Sequence, residues 1–160
     1  MSNKEIGDIV RPEAGSQVGA ILFACNINAV RSAMAEAMVK HAFPSKVFVD
    51  SCGVTPGVQD GFATAVMHEI GLDISAHEPK SFDDLDSGFY DVIISFSSEA
   101  HEAARVLTQN IDCEILHWPV DNLANLTGSR EEMLRAYRRV RDDISSKLSI
   151  YFGKEVAGNT

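Results

Sequence analysis

The sequence predicts a three-layer α/β/α domain built on a four-stranded parallel sheet, and three observations lead there. Short apolar runs alternate with helix-forming segments along the chain, as in folds where each strand is followed by a crossover helix. The first run, Val18 to Ala24, is almost continuously apolar, as a strand covered on both faces must be. The chain has 160 residues, 45% of them hydrophobic, which suits one core. A domain of this size buries roughly two-thirds of the surface its unfolded chain exposes.

The elements follow in order. Residues 1–17 combine charges with Gly7, Pro12, Gly15 and Ser16 and show little periodicity, so a flexible N-terminal extension is expected before a domain spanning residues 18–153. After the first strand, Arg31 to Ala42 has helix-forming composition, with Met34, Ala35, Met38 and Val39 at offsets that make one apolar face. Lys46 to Ser51 reads as the second strand, Cys52 to Gly61 as a turn, and Phe62 to Ile70 as a helix stopped by Gly71. A third strand over Asp91 to Phe96, a helix over Glu99 to Leu107 and a fourth strand over Cys113 to Leu116 continue the alternation. Arg130 to Tyr151 closes the domain as a long helix with Met133, Leu134, Tyr137, Val140, Ile144 and Leu148 on one stripe, and residues 154–160 form a short tail.

Charge narrows the function. With 14 Lys and Arg against 23 Asp and Glu, the net charge is −9, opposite in sign to a nucleic-acid or membrane-surface footprint, so neither partner is expected. An anionic substrate must then be captured by local donors acting against the overall field. No apolar run approaches the roughly 18 residues of a membrane span, and Met1 to Gln17 lacks the apolar region of a secretory signal, so a cytoplasmic protein is expected. Three cysteines, Cys25, Cys52 and Cys113, have no metal-ligand spacing, and their odd number fits a reducing compartment.

One segment carries chemistry. Cys25-Asn26-Ile27-Asn28-Ala29-Val30-Arg31-Ser32 places a cysteine, five residues, an arginine and a serine between a strand and a helix. Five intervening residues let the backbone curl so that its N–H groups, from Asn26 to Val30 and on to Arg31 and Ser32, converge on one tetrahedral oxyanion. The same loop amides, the helix terminus and a guanidinium favour a thiolate at Cys25. Arg31 offers a planar fork for two equatorial phosphoryl oxygens, and Ser32 can donate to the thiolate when it leaves. Such a site calls on no metal or other cofactor.

The stretch ILFACNINAVRSAMAEA resembles the active-site segment of the low-molecular-weight protein tyrosine phosphatase family: strand, Cys-x5-Arg-Ser, then a helix with Met-Ala-Glu. The likeness continues through Asp50-Ser51-Cys52-Gly53-Val54, Gly71 to His77 and Tyr90 to Ser95, and spans Val18 to about Tyr151. It implies a flavodoxin-like strand order 2-1-3-4, a fold shared with thioredoxin-coupled arsenate reductases. It also implies a phosphocysteine mechanism in which Asp121, within His117-Trp118-Pro119-Val120-Asp121-Asn122, is the general acid. By the same resemblance Asn28 ties the loop together and His77 supports Asn28. The expected partners are a phosphorylated protein or small phosphoester, with phosphate or another tetrahedral oxyanion in the loop.

The pattern is broken at three places. Ile27 stands where the family commonly has glycine, and a β-branched residue is strained at positive φ. Val30 replaces a second loop cysteine, and Asn122 replaces a proline whose fixed φ would pre-shape the acid loop. The segment around Ser95-Phe96-Ser97-Ser98, where the thioredoxin-coupled reductases resemble a two-cysteine relay, contains serine and no cysteine. Three activities therefore follow from the sequence: a cysteine-dependent phosphomonoester hydrolase, an arsenate reductase using an external thiol, and a phosphate-binding regulatory module with weak turnover.

Overall fold

A computed structural model describes Ile9 and residues 19–156. Four parallel strands, β1 (Ala20–Cys25), β2 (Phe48–Gly53), β3 (Val92–Ser95) and β4 (Glu114–His117), form one sheet in the order β2-β1-β3-β4. Helices α1 (Arg31–Ala42), α2 (Gly61–His68), α3 (Ser98–Leu107) and α4 (Arg130–Phe152) alternate with the strands. Three layers result, as the alternation predicts, because β1 and β3 are buried along their whole length and need cover on both faces.

The larger core lies between the sheet and α1, α2 and α4, around Ile21, Phe23, Met34, Met38, Ile94 and Ile144. The smaller lies against α3, around Leu22, Cys52, Ile93, Ala100 and Ala104. Alternate residues of β1 supply the two cores, which follows from the period of two in a strand. Ile9 and Val156 are both buried in the larger core. Apart from Ile9, the extension expected over residues 1–17 lies outside the described residues, as do residues 157–160.

Local chemistry sets the helix ends. Asp60 caps α2 by accepting from Phe62 and Ala63 N–H, and Ser129 with Glu132 forms a capping box at α4. The αL backbone of Gly153 (φ 75°) ends α4, a conformation glycine adopts without a Cβ penalty. Strand β2 starts two residues later than the apolar pattern suggests. Its carboxyl end is extended by the pairing of Cys52 with Ala24 and of Gly53 with Cys25. Two single 3-10 turns, Phe82–Asp84 and Ser87–Phe89, were not expected from the sequence. No described helix is long and apolar enough to cross a membrane.

Candidate functional site

The loop of residues 26–30 leaves the carboxyl end of β1, a central strand, and runs into the first turn of α1. This is where open α/β sheets bind ligands. Its curl is fixed from outside by backbone hydrogen bonds: Val54 N–H donates to Cys25 C=O (3.1 Å), Thr55 N–H to Asn26 C=O (3.0 Å) and Gly57 N–H to Ile27 C=O (2.9 Å). With those carbonyls turned outward, the N–H groups of Asn26 to Val30 have no protein acceptor among the described residues. They form a ring of free donors at the positive end of α1, the arrangement that binds an oxyanion.

Gly53 and Gly57 allow this clamp. A Cβ at Gly53 would lie 2.8 Å from Asn26 O, Asn28 N and Ile27 C, all backbone atoms, and one at Gly57 would lie 2.9 Å from Ile27 Cβ. Gly53→Ala is therefore expected to push the loop off its donor geometry. A displacement of order 1 Å lowers kcat/KM about 10²-fold, with about 1–3 kcal/mol of overpacking cost to stability. Steady-state kinetics and thermal unfolding of the variant check this together.

Inside the loop, Asn28 takes the one positive φ of the turn, 58°. Asparagine tolerates that conformation, and Ile27 is spared the strain expected of it, packing on Gly57 instead. Asn28 is fully buried and each end of its amide is used. Its Nδ2 donates to Ser32 Oγ (2.8 Å) and Ser51 Oγ (2.9 Å), and its Oδ1 accepts from Lys80 N–H (3.0 Å) and meets His77 Nε2 (3.1 Å). Ser32 Oγ lies 2.9 Å from Cys25 Sγ and 3.3 Å from Cys52 C=O. Asn28 donates into Ser32 Oγ, so the single Ser32 hydroxyl proton is shared between two acceptors, the Cys25 sulfur and the Cys52 carbonyl.

Behind this network stand residues that sequence reasoning missed. Glu36 accepts from Ser51 Oγ and pairs with Lys40, and its Oε1 lies 3.8 Å from His77 Nδ1. A carboxylate on the buried face of α1 was the available signal, since such a group is rarely buried without partners. Glu36 and His77 also line a groove of about 820 Å³ between α1 and the 72–80 segment.

Arg31 is buried, and its Nη1 donates to Phe96 C=O (3.2 Å) and Val120 C=O (3.0 Å). Burial lowers the basicity of its guanidinium, while Cys25, Glu99 and Asp121 oppose that shift. Arg31 thus links the cysteine loop to the segment carrying Asp121. That segment extends the sheet, with Trp118 N–H donating to Ser95 C=O (2.8 Å) and Val120 N–H to Phe96 C=O (3.2 Å). Asn122 Oδ1 accepts from Ala124 N–H (3.0 Å), an Asx turn that shapes the loop where a proline is absent.

The other thiols lie elsewhere. Cys52 belongs to the core against α3, on the opposite face of the sheet from Cys25, and burial pushes its pKa far up. Cys113 precedes β4 at the amino end of the sheet, its pKa pushed up to about 11, chiefly by burial.

A parallel sheet in this order, with a Cys-x5-Arg turn after its first strand, defines the α/β class shared by low-molecular-weight tyrosine phosphatases and arsenate reductases. The chain belongs to the low molecular weight phosphotyrosine protein phosphatase family, whose model matches residues 20–159. An arsenate reductase of Halalkalibacterium halodurans is 30% identical over 131 residues, covering 82% of this chain and 93% of that protein. Among solved structures, a tyrosine phosphatase of Erwinia amylovora superposes with TM-score 0.69 at 18% identity, over 89% of this chain and 99% of its own. An arsenate reductase in the phosphate-binding state gives TM-score 0.65 at 24% identity, over 82% and 93%.

Proposed function

We propose that this protein is a cysteine-dependent phosphomonoester hydrolase. The observation that carries the proposal is the position of Arg31, which reaches from the free N–H groups beside Cys25 to the carbonyl next to Asp121. That link supports reading Cys25, the loop donors and Asp121 as parts of one site. Cys25 thiolate attacks phosphorus, the P–O bond to the leaving group breaks, and Asp121 gives its proton to the departing oxygen. Arg31 and the loop N–H groups hold the equatorial oxygens through the transition state. Asp121 then takes a proton from water, the water oxygen attacks phosphorus, and the S–P bond breaks to release phosphate. Ser32 donates to the leaving sulfur.

The arsenate reductase relative favours a second activity. Neither Cys52 nor Cys113 lies on the Cys25 side of the sheet's carboxyl end, so arsenate reduction here requires an external thiol such as glutathione.

The test is metal-free hydrolysis of para-nitrophenyl phosphate by wild type and Asp121→Asn, beside arsenate reduction with glutathione. Loss of the acid is expected to lower phosphatase kcat by about 10²–10⁴-fold. Arsenate turnover with no ester hydrolysis would overturn the hydrolase in favour of the reductase.

A further inference from the structure

Three buried polar atoms without a hydrogen-bond partner gather on one side of the sheet, next to the acid loop but outside the cysteine site. They are Ser95 Oγ, His101 Nδ1 and His117 Nε2. Ser95 and His117 face each other across the β3–β4 pair. His101, on α3, lies against His117 with ring centroids 5.0 Å apart and planes inclined by 17°. Burying such groups unpaired costs about 1–3 kcal/mol each, so a folded protein that retains three together calls for an explanation.

The location supplies one. His117 is the last residue of β4, and Trp118 to Asp121 follow it directly. We propose that the His101–His117 stack is a proton-sensitive clamp on the acid loop: it holds the end of β4 against α3 while the His117 ring is neutral, and releases it when that ring takes up a proton. A charge on the His117 imidazole would sit in a partly buried site against a second basic ring. His101 lies in the first turn of α3. In keeping with this, burial and then His101 lower the pKa of His117.

No charged group is paired with either ring among the described residues. The charged groups on the surrounding elements are Glu99, Glu102 and Arg105 on α3, Asp91 before β3, Glu114 at the start of β4, Asp121 in the loop after it, and Arg31 on α1. None bonds to either imidazole among the described residues. Glu102 is held by Arg105, Asp91 by the N–H groups of Gly19 and Ala20, and Glu99 acts on Arg31. The direction follows from linkage. A histidine whose native pKa is depressed leaves the closed form at full stability above about pH 6.5, and that stability is lost as pH falls below it, because the opened form protonates first.

Release would act on the site through contacts already described. Freeing the end of β4 loosens the Trp118 and Val120 ladder bonds, and with them the Val120 carbonyl that anchors Arg31. His101 and His117 are thus positioning residues, acting through the loop and Arg31.

Trp118, the chain's single tryptophan, reports on the clamp without turnover. It is buried between Phe96 and Tyr151, with ring centroids at 6.4 and 5.3 Å. The experiment compares iodide quenching of Trp118 and the dissociation constant of inorganic phosphate from pH 8 to 5 in wild type and in the His101→Phe/His117→Phe double variant, which keeps the rings but not the protons. Wild type is expected to gain quenching below pH 6.5 and to lose phosphate affinity by about tenfold more than the variant, the equivalent of one pKa unit. The variant should hold its pH 8 quenching. Identical curves for both proteins would overturn the clamp and leave a site merely bridged by water.

Should the variant not fold, NMR titration of the wild-type imidazoles decides. Titration of His117 below the ordinary histidine value together with Trp118 exposure supports the clamp, and titration at the ordinary value overturns it. The clamp concerns the site of the proposed hydrolase, but its readouts need no catalysis. A failure of the hydrolase proposal would appear in the Asp121→Asn assay alone.

Discussion

Cys25→Ser is expected to abolish hydrolysis of para-nitrophenyl phosphate while leaving phosphate binding within about threefold of wild type. The loss should be on the order of 10⁴–10⁶-fold, the scale seen when a nucleophile is removed from a preorganised site. A hydroxyl in place of the thiol stays protonated at neutral pH, and no base lies beside it: the neighbouring side-chain contact of Cys25 is the Ser32 hydroxyl, at 2.9 Å. Binding survives because the oxyanion is held by the N–H groups of residues 26–30 and by Arg31. Those groups are fixed by Gly53, Asn28 and the β2–α2 loop and not by the sulfur. The pair of measurements therefore separates chemistry from capture. Turnover that persists in Cys25→Ser would refute the phosphocysteine route. A wild type that binds phosphate tightly but turns nothing over would point to a phosphate-binding regulatory module.

How much of this was legible in the sequence depended on the range of the interactions. Strand β1 and helix α1 announced themselves because burial on two faces and an apolar stripe are local patterns. The cysteine, arginine and serine of the loop were legible for the same reason, since a spacing of five residues is itself the geometry. Glu36, Ser51 and Lys80 were not, because each acts on Asn28 only after β2 and the 77–80 segment are laid beside the loop. The late end of β2 has the same origin: Cys52 and Gly53 look like turn residues until they pair with Ala24 and Cys25. The doubt about Ile27 was resolved one residue along, where Asn28 takes the left-handed conformation. His101 and His117 lie 16 positions apart on a helix and a strand, and neither residue alone signals a stack.

Arg31→Lys is the second large effect, and it tests the claim that one guanidinium joins the two halves of the site. Nη1 is committed to Phe96 and Val120 C=O at 3.2 and 3.0 Å, which leaves the remaining N–H groups of the fork for a bound oxyanion. Lysine keeps the charge, but its three donors sit on one nitrogen, so it cannot span the carbonyls and the oxyanion as the guanidinium fork does. Removal of a transition-state donor costs about 10²–10³-fold in kcat. Phe96 C=O keeps its bond from Val120 N–H, but leaving the Val120 carbonyl unsatisfied adds on the order of 1–3 kcal/mol of destabilisation. A charge contact alone would be largely restored by lysine, with unchanged unfolding temperature. The bridging role predicts instead a loss in kcat, a lower unfolding temperature and strong non-additivity with Asp121→Asn. Once the Val120 carbonyl is released, the acid is no longer held over the leaving group, and its removal costs little more. A double-mutant cycle measures this directly. A coupling below about 0.5 kcal/mol, the range of independent sites, would mean that the cysteine loop and the acid loop are positioned separately and that Arg31 serves the oxyanion alone.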